Sequence, residues 1–147
     1  MSLPLAYLLA IFAGTSVAIQ QVLNASLRLH LGSPWWAGVV SYFVGLVAML
    51  AVALLAPGPR FTEVFSNGAP WMTWLGGILG AIFIGIAILM VPRLGAATTL
   101  ALIVVGQMLG SLICDHFGLF GIQQQSISLV RLAGAALLIL GVVLIKA

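Results

Sequence analysis

Charge is what this sequence is shortest of: its 147 residues carry five basic and two acidic side chains, where a water-soluble domain makes about a quarter of its residues charged. That shortage excludes a chain whose surface is mostly solvated by water. Cysteine is nearly absent too. The single Cys114 can form no internal disulfide and has no spaced partners for a metal site, so no metal and no redox motif are expected, and Cys114 reads as a small helix-packing residue. A sequence pI near 9.8 invites a nucleic-acid reading, but Arg28, Arg60, Arg93, Arg131 and Lys146 are scattered, with no basic cluster and no aromatic-basic interleaving. Nucleic acid is not an expected partner. No nucleophile, base and orienting group can be assembled without borrowing loop residues, so neither an enzyme nor a cofactor is indicated.

What is present is hydrocarbon. The chain is 63% hydrophobic with a mean hydropathy of +1.30, which makes lipid the solvent. Crossing a hydrocarbon core of roughly 30 Å takes about 20 apolar residues in a helix, so the length accommodates at most about five or six crossings and no soluble domain. The amino-terminal apolar run has no positively charged leader and outlasts a secretory signal, so it is read as a membrane helix.

Five spans follow, at about residues 3–27, 35–56, 71–91, 96–114 and 127–145, in a single integral membrane domain. The polar stretch Arg28 to Ser33 closes the first. Pro34 opens the second, since a proline suits the first helical turn, and Trp35 and Trp36 sit where aromatic anchors are favoured. PGPRFTEVFSNGAP, from Pro57 to Pro70, reads as the longest aqueous or interfacial loop, and Trp71 and Trp74 mark re-entry. Pro92 to Gly95 reads as a tight turn; Asp115 to Gly118 end the fourth span, and a glutamine-bearing connection leads into the fifth. All regular structure should be helical, because a backbone in lipid must satisfy its own hydrogen bonds, and no period-two alternation supports a barrel.

Five crossings put Arg60 and Arg131 on one face and Arg28, Arg93 and Lys146 on the other, a bias of one cation that the terminal amine can cancel. Either the first helix sets one orientation by default, or the protein inserts both ways. Two opposed copies would form a ten-helix antiparallel homodimer with the inverted-repeat symmetry common in secondary transporters. Small residues at close spacing offer helix-packing faces, either within a protomer or at a dimer seam: Gly76, Gly80, Gly85, Gly106 and Gly110, with Gly134 and Gly141 in the last span.

Three carboxamides in AIQQVLNASL are out of place in such a chain. At 100° per residue, Ser16, Gln20 and Asn24 share one stripe with Gln21 beside it, so this face should turn from lipid toward protein or water. Gln107 lies near the middle of the fourth span, and Ser41 and Tyr42 give the second a polar patch. Two readings stay open: interhelical hydrogen bonding, or a pocket in which these groups and Trp74 bind a polar or amphiphilic small molecule. No carboxylate lies deep in a span. Asp115, at a helix carboxyl end, needs a cation, and Arg131 is the first candidate, with His116 second; a structural pair, a relay or gate, or an Arg131 reaching headgroups are the alternatives.

QQVLNASL in the first helix, WWAGVVSYFVG in the second, the VPRLGAATT turn, and GQMLGSLICDHFG followed by RLAGAALLILG together resemble the YdcZ-like five-helix family of the drug/metabolite transporter superfamily. The resemblance covers nearly the whole chain. It implies a five-helix unit in a bacterial-type cytoplasmic (inner) membrane, working as a dual-topology protein, as one of an opposed pair, or fused into ten helices. The glutamate in the first helix of the more distant four-helix multidrug transporters has no counterpart here. The expected function is a small secondary transporter with a central pocket; a non-transporting scaffold or accessory subunit is the alternative.

Overall fold

The computed structural model describes residues 2–58, 63, 68 and 70–146, and all regular structure among them is helical. The helices are α1 (Leu3–Leu31), α2 (Pro34–Leu55), α3 (Gly76–Leu94, entered through a 3-10 turn at Trp71–Leu75), α4 (Ala96–Phe117) and α5 (Leu129–Lys146), with a short 3-10 turn at Leu119–Gly121. Five helical segments are long and apolar enough to cross a membrane. The expected loop after Pro57 lies largely outside the described residues, and so does Arg60. The chain divides into two compact units, Met1–Leu89 and Met90–Ala147, which are described separately.

Helix ends fall where the backbone chemistry puts them, and several differ from the sequence reading. Arg28, Leu29, His30 and Leu31 do not close the first span; they extend it by a turn. None of them breaks a helix, and α1 stops only at Gly32, whose left-handed conformation (φ 66°) suits a residue without a side chain. Ser33 then caps α2, its hydroxyl accepting from the Trp36 amide at 3.4 Å, with Pro34 in the first helical turn. Asp115, His116 and Phe117 likewise belong to the last turn of α4, which ends at left-handed Gly118. In α5 the Ser128 hydroxyl accepts from the Arg131 amide at 3.3 Å, a capping arrangement that starts the helix two residues after the expected position.

The largest correction concerns Pro92. It does not open a turn but sits inside α3, and Gly95 alone (φ 82°) separates α3 from α4. An interior proline removes the N–H that would bond the carbonyl four residues earlier. Here that carbonyl belongs to Ile88, and Arg28 of α1 donates to it from Nη1 at 3.2 Å. A side chain thus supplies the donor that the backbone lacks.

In the first unit, Ala37 of α2 and Ile84 and Ile88 of α3 form a small buried core, with Leu27 of α1 and Phe83 packed on it. Gly38 lies against the same isoleucines: a methyl group at that position would stand in ordinary contact, 3.8 Å from Ile88 Cδ1 and 3.9 Å from Ile84 Cγ2. Small residues at helix contacts are the usual device where lipid provides no water-exclusion force. In the second unit, Leu112 and Ala135 are buried. Most other large apolar side chains are exposed on the protomer, Leu55 and Leu129 almost fully, as befits helices solvated by hydrocarbon.

Candidate functional site

The polar stripe of α1 faces α2. Gln20 and Asn24, with Thr15 and Ser16 a turn or two earlier, line a groove whose far wall includes Val40, Ser41 and Gly45. Its volume is about 490 Å³. Because only Gly32 and Ser33 join the two antiparallel helices, Asn24 lies as many residues before the turn as Ser41 lies after it, and the two stand at the same level. None of the described residues lining the groove is charged.

Within this groove the polar groups differ in how far their bonding is met. Thr15 spends its hydroxyl proton on the Ile11 carbonyl of its own helix at 3.0 Å. Gln20 is exposed. Asn24 is only 5% exposed, and its buried Nδ2 has no hydrogen-bond partner among the described residues. Gln21, next along the chain and therefore 100° round the helix, does not line the groove; it is fully buried, and neither its Oε1 nor its Nε2 has a partner among the described residues. Adjacent carboxamides have thus been sent to different surroundings.

The same helical step separates Ser41 from Tyr42. Tyr42 lines a second groove of about 420 Å³ between α2 and α3, with Trp35, Ala81 and Gly85 among its walls. Its hydroxyl occupies the space that a side chain at Gly80 would need, 2.7 Å from where a Cβ would stand. A Cβ at Gly85, by contrast, would stand in ordinary van der Waals contact with the Trp35 ring, at 3.6 Å. Trp74, in the 3-10 turn, lines neither groove. Gln107 belongs to the second unit, where its side chain is exposed. Of the seven expected ligand-binding side chains, then, Gln20, Asn24 and Ser41 share one groove.

The second unit gathers its polar groups at the junction of α4 and α5. Arg131 Nη2 and Asp115 Oδ2 are 2.5 Å apart, and Arg131 Nη1 also donates to the Gln125 carbonyl at 3.3 Å. Gln125 returns its amide to the Asp115 carbonyl at 2.8 Å. His116 takes part differently from the role considered for it. Its carbonyl accepts from Gln124 Nε2 at 2.8 Å, its Nδ1 accepts from the Ile127 amide at 3.4 Å, and its ring meets Phe117 edge-on. These bonds fasten the 118–128 connection to the end of α4. Beside the ion pair, Ser111, Leu112 and Leu138 line a groove of about 450 Å³.

For the remaining packing glycines, Gly76, Gly106, Gly110, Gly134 and Gly141, no atom of the described residues lies within 4 Å of an added Cβ. The contacts that sequence reasoning missed are Gly38 against the α3 isoleucines, and Arg28 on the Ile88 carbonyl. The first has no signal beyond a small residue in WWAGVV. The second has one, since a proline inside an apolar run orphans the carbonyl four residues before it.

Helices soluble only in lipid, with polar groups gathered in grooves and at a helix junction, define a multi-pass membrane protein. Residues 5–144 match the family described as "Putative inner membrane exporter, YdcZ", and the chain belongs to that family. It is 30% identical over 141 residues to the Inner membrane protein YdcZ of Escherichia coli (strain K12), an alignment spanning 95% of this chain and 92% of the relative. No solved structure matches it. Family and fold place the chain in the inner membrane.

Proposed function

We propose that this chain is a small-molecule exporter of the drug/metabolite transporter type, working by alternating access as an antiparallel homodimer. The observation that carries the reading is Asn24, a buried residue whose Nδ2 has no hydrogen-bond partner among the described residues, on the wall of an otherwise open groove. A polar group without a partner is costly to hold in an apolar setting, so a chain that keeps one there gains from a ligand that pairs with it. Gln20 and Ser41 complete the polar side of that site. In this reading Gln21, Tyr42, Trp74 and Gln107 serve the same substrate path in the assembled dimer, and the open glycines Gly106 and Gly110 lie on the face that a second copy covers. Asp115 and Arg131, with His116 beside them, serve as the structural pair that holds the α4–α5 end together.

Opposed pairing is supported by the near-balance of cations between the two faces, Arg60 and Arg131 against Arg28, Arg93 and Lys146. The test is to add two lysines to one face or the other and map the orientation with terminal reporters. Each variant should adopt one orientation and be inactive alone, and the two should export when coexpressed. Full native assembly and export by either variant alone would end the dual-topology reading; export lost without any change of assembly on Asn24→Leu would support the groove, whereas intact export would favour a scaffold.

A further inference from the structure

We infer that the α1/α2 groove selects an uncharged amphiphile whose head both donates and accepts hydrogen bonds, such as a carboxamide, a urea or a pair of hydroxyls. The inference rests on the reading of this groove as the transport site and narrows its substrate class.

Three observations carry it. The described walls hold no ionised side chain, so a cation or anion entering from water would lose its hydration with no counter-charge to replace it. Arg28, one turn beyond Asn24, is engaged with the Ile88 carbonyl. Next, the unmet atom is Asn24 Nδ2, a donor that asks for an acceptor, and it belongs to a carboxamide whose oxygen can accept in turn. A carboxamide offers two N–H donors and an acceptor oxygen, and the Ser41 hydroxyl at its level offers one donor and further acceptor capacity. A head that both gives and takes protons satisfies this pair; a quaternary ammonium has nothing to donate, and a carboxylate nothing but lone pairs. Finally, the groove is lopsided. Asn24 is the one buried residue among its described lining and lies near one end, with Leu27 a turn beyond, whereas Phe12, Ile19 and Leu23 give the exposed α1 wall apolar surface interleaved with Thr15, Ser16 and Gln20, a stretch of about 18 Å from Phe12 to Asn24 at the helical rise. The head belongs at Asn24 and the apolar body along that wall. The volume lies in the usual range for small-molecule sites, roughly 300–1,000 Å³.

A matched set of probes tests this at constant shape. N-acetylphenylalaninamide is uncharged; phenylalaninamide, at a pH where its amine is protonated, is a cation; N-acetylphenylalanine is an anion. Equilibrium binding of radiolabelled forms to the purified full-length protein is measured in detergent and again in phospholipid nanodiscs. The uncharged probe should bind at least tenfold more tightly than either charged one in both settings. Asn24→Leu should weaken it at least tenfold with the thermal unfolding midpoint kept, and Ser41→Asp, which places a carboxylate opposite Asn24, should turn the preference toward phenylalaninamide. Equal or tighter binding of a charged probe overturns the inference, as does binding of none. Binding in detergent that disappears in nanodiscs assigns the groove to a lipid chain and overturns it as well. Flux through proteoliposomes separates this claim from the transporter reading: selective binding without flux defeats transport and leaves the selectivity standing, whereas flux led by the cation keeps transport and defeats the selectivity.

Discussion

The two units treat their polar groups in opposite ways. In the second, the strongest ionic groups are answered: Arg131 serves both Asp115 and the Gln125 carbonyl, Gln124 and Ile127 serve His116, and the outcome is a fixed connection between two helices. In the first, carboxamide atoms go unmet: Gln21 with both its polar atoms, and Asn24 with its amide nitrogen, are buried and without partners among the described residues. Yet the same unit goes to some length to satisfy a backbone carbonyl, sending Arg28 from another helix to Ile88. The carbonyl that the proline orphans is thus met, while these buried side-chain atoms are not. Paired groups fasten the second unit, whereas the first keeps buried carboxamide atoms unpaired among the described residues, which is the basis of the proposed ligand site.

That contrast can be broken by substitution, and the largest effect should come from the second unit. Asp115→Leu leaves Arg131 without its carboxylate, and thermal unfolding in detergent should show a loss of about 1.5–3 kcal/mol, the range for a hydrogen bond to a charged group. A loss under half of that would make the pair an incidental surface contact, as many exposed ion pairs are.

A smaller effect tests the proline account. Arg28→Met should cost about 1–2 kcal/mol because it exposes the unbonded Ile88 carbonyl. In a Pro92→Ala background, where residue 92 regains its N–H, the same change should cost almost nothing. Equal costs in the two backgrounds would disconnect Arg28 from the proline. In the first unit the sign reverses: Gln21→Met removes a buried, unpaired carboxamide at similar volume and should raise stability by about 1 kcal/mol. A drop instead would reveal a partner that Gln21 finds in the native assembly.

The smallest effects concern glycine. Gly80→Ala must displace the Tyr42 hydroxyl and should cost about 1 kcal/mol or less, the low end for overpacking, with Tyr42→Phe restoring most of it. Gly106→Ala and Gly110→Ala meet open space and should leave the protomer unchanged or raise its stability by up to about 1 kcal/mol through helix propensity. If either nonetheless dissociates the proposed dimer in crosslinking, its seam runs over α4; if neither does, the proposed seam does not run over α4.

Much of this was legible without coordinates. Apolar runs of membrane length are read by composition alone, since lipid admits only self-bonded backbones, and the carboxamide stripe of α1 follows from helical periodicity. Helix ends were less legible. Arg28 to Leu31 and Pro92 looked like interruptions because polar residues and proline usually end spans, but a helix yields only where a backbone bond cannot be replaced, and at Ile88 it was replaced.

By itself the sequence settled the solvent, the number of crossings and the rarity of polar groups within them, because those depend on transfer from water to hydrocarbon, a property each residue carries wherever the chain goes. Only the tertiary structure decided that Asn24 faces a groove while Gln21 is sealed away, that Ser41 and Tyr42 serve different walls, and that a guanidinium from α1 mends α3. Neighbours on a helix stand 100° apart, and which of them turns inward depends on where the next helix lies, a distance no single residue encodes.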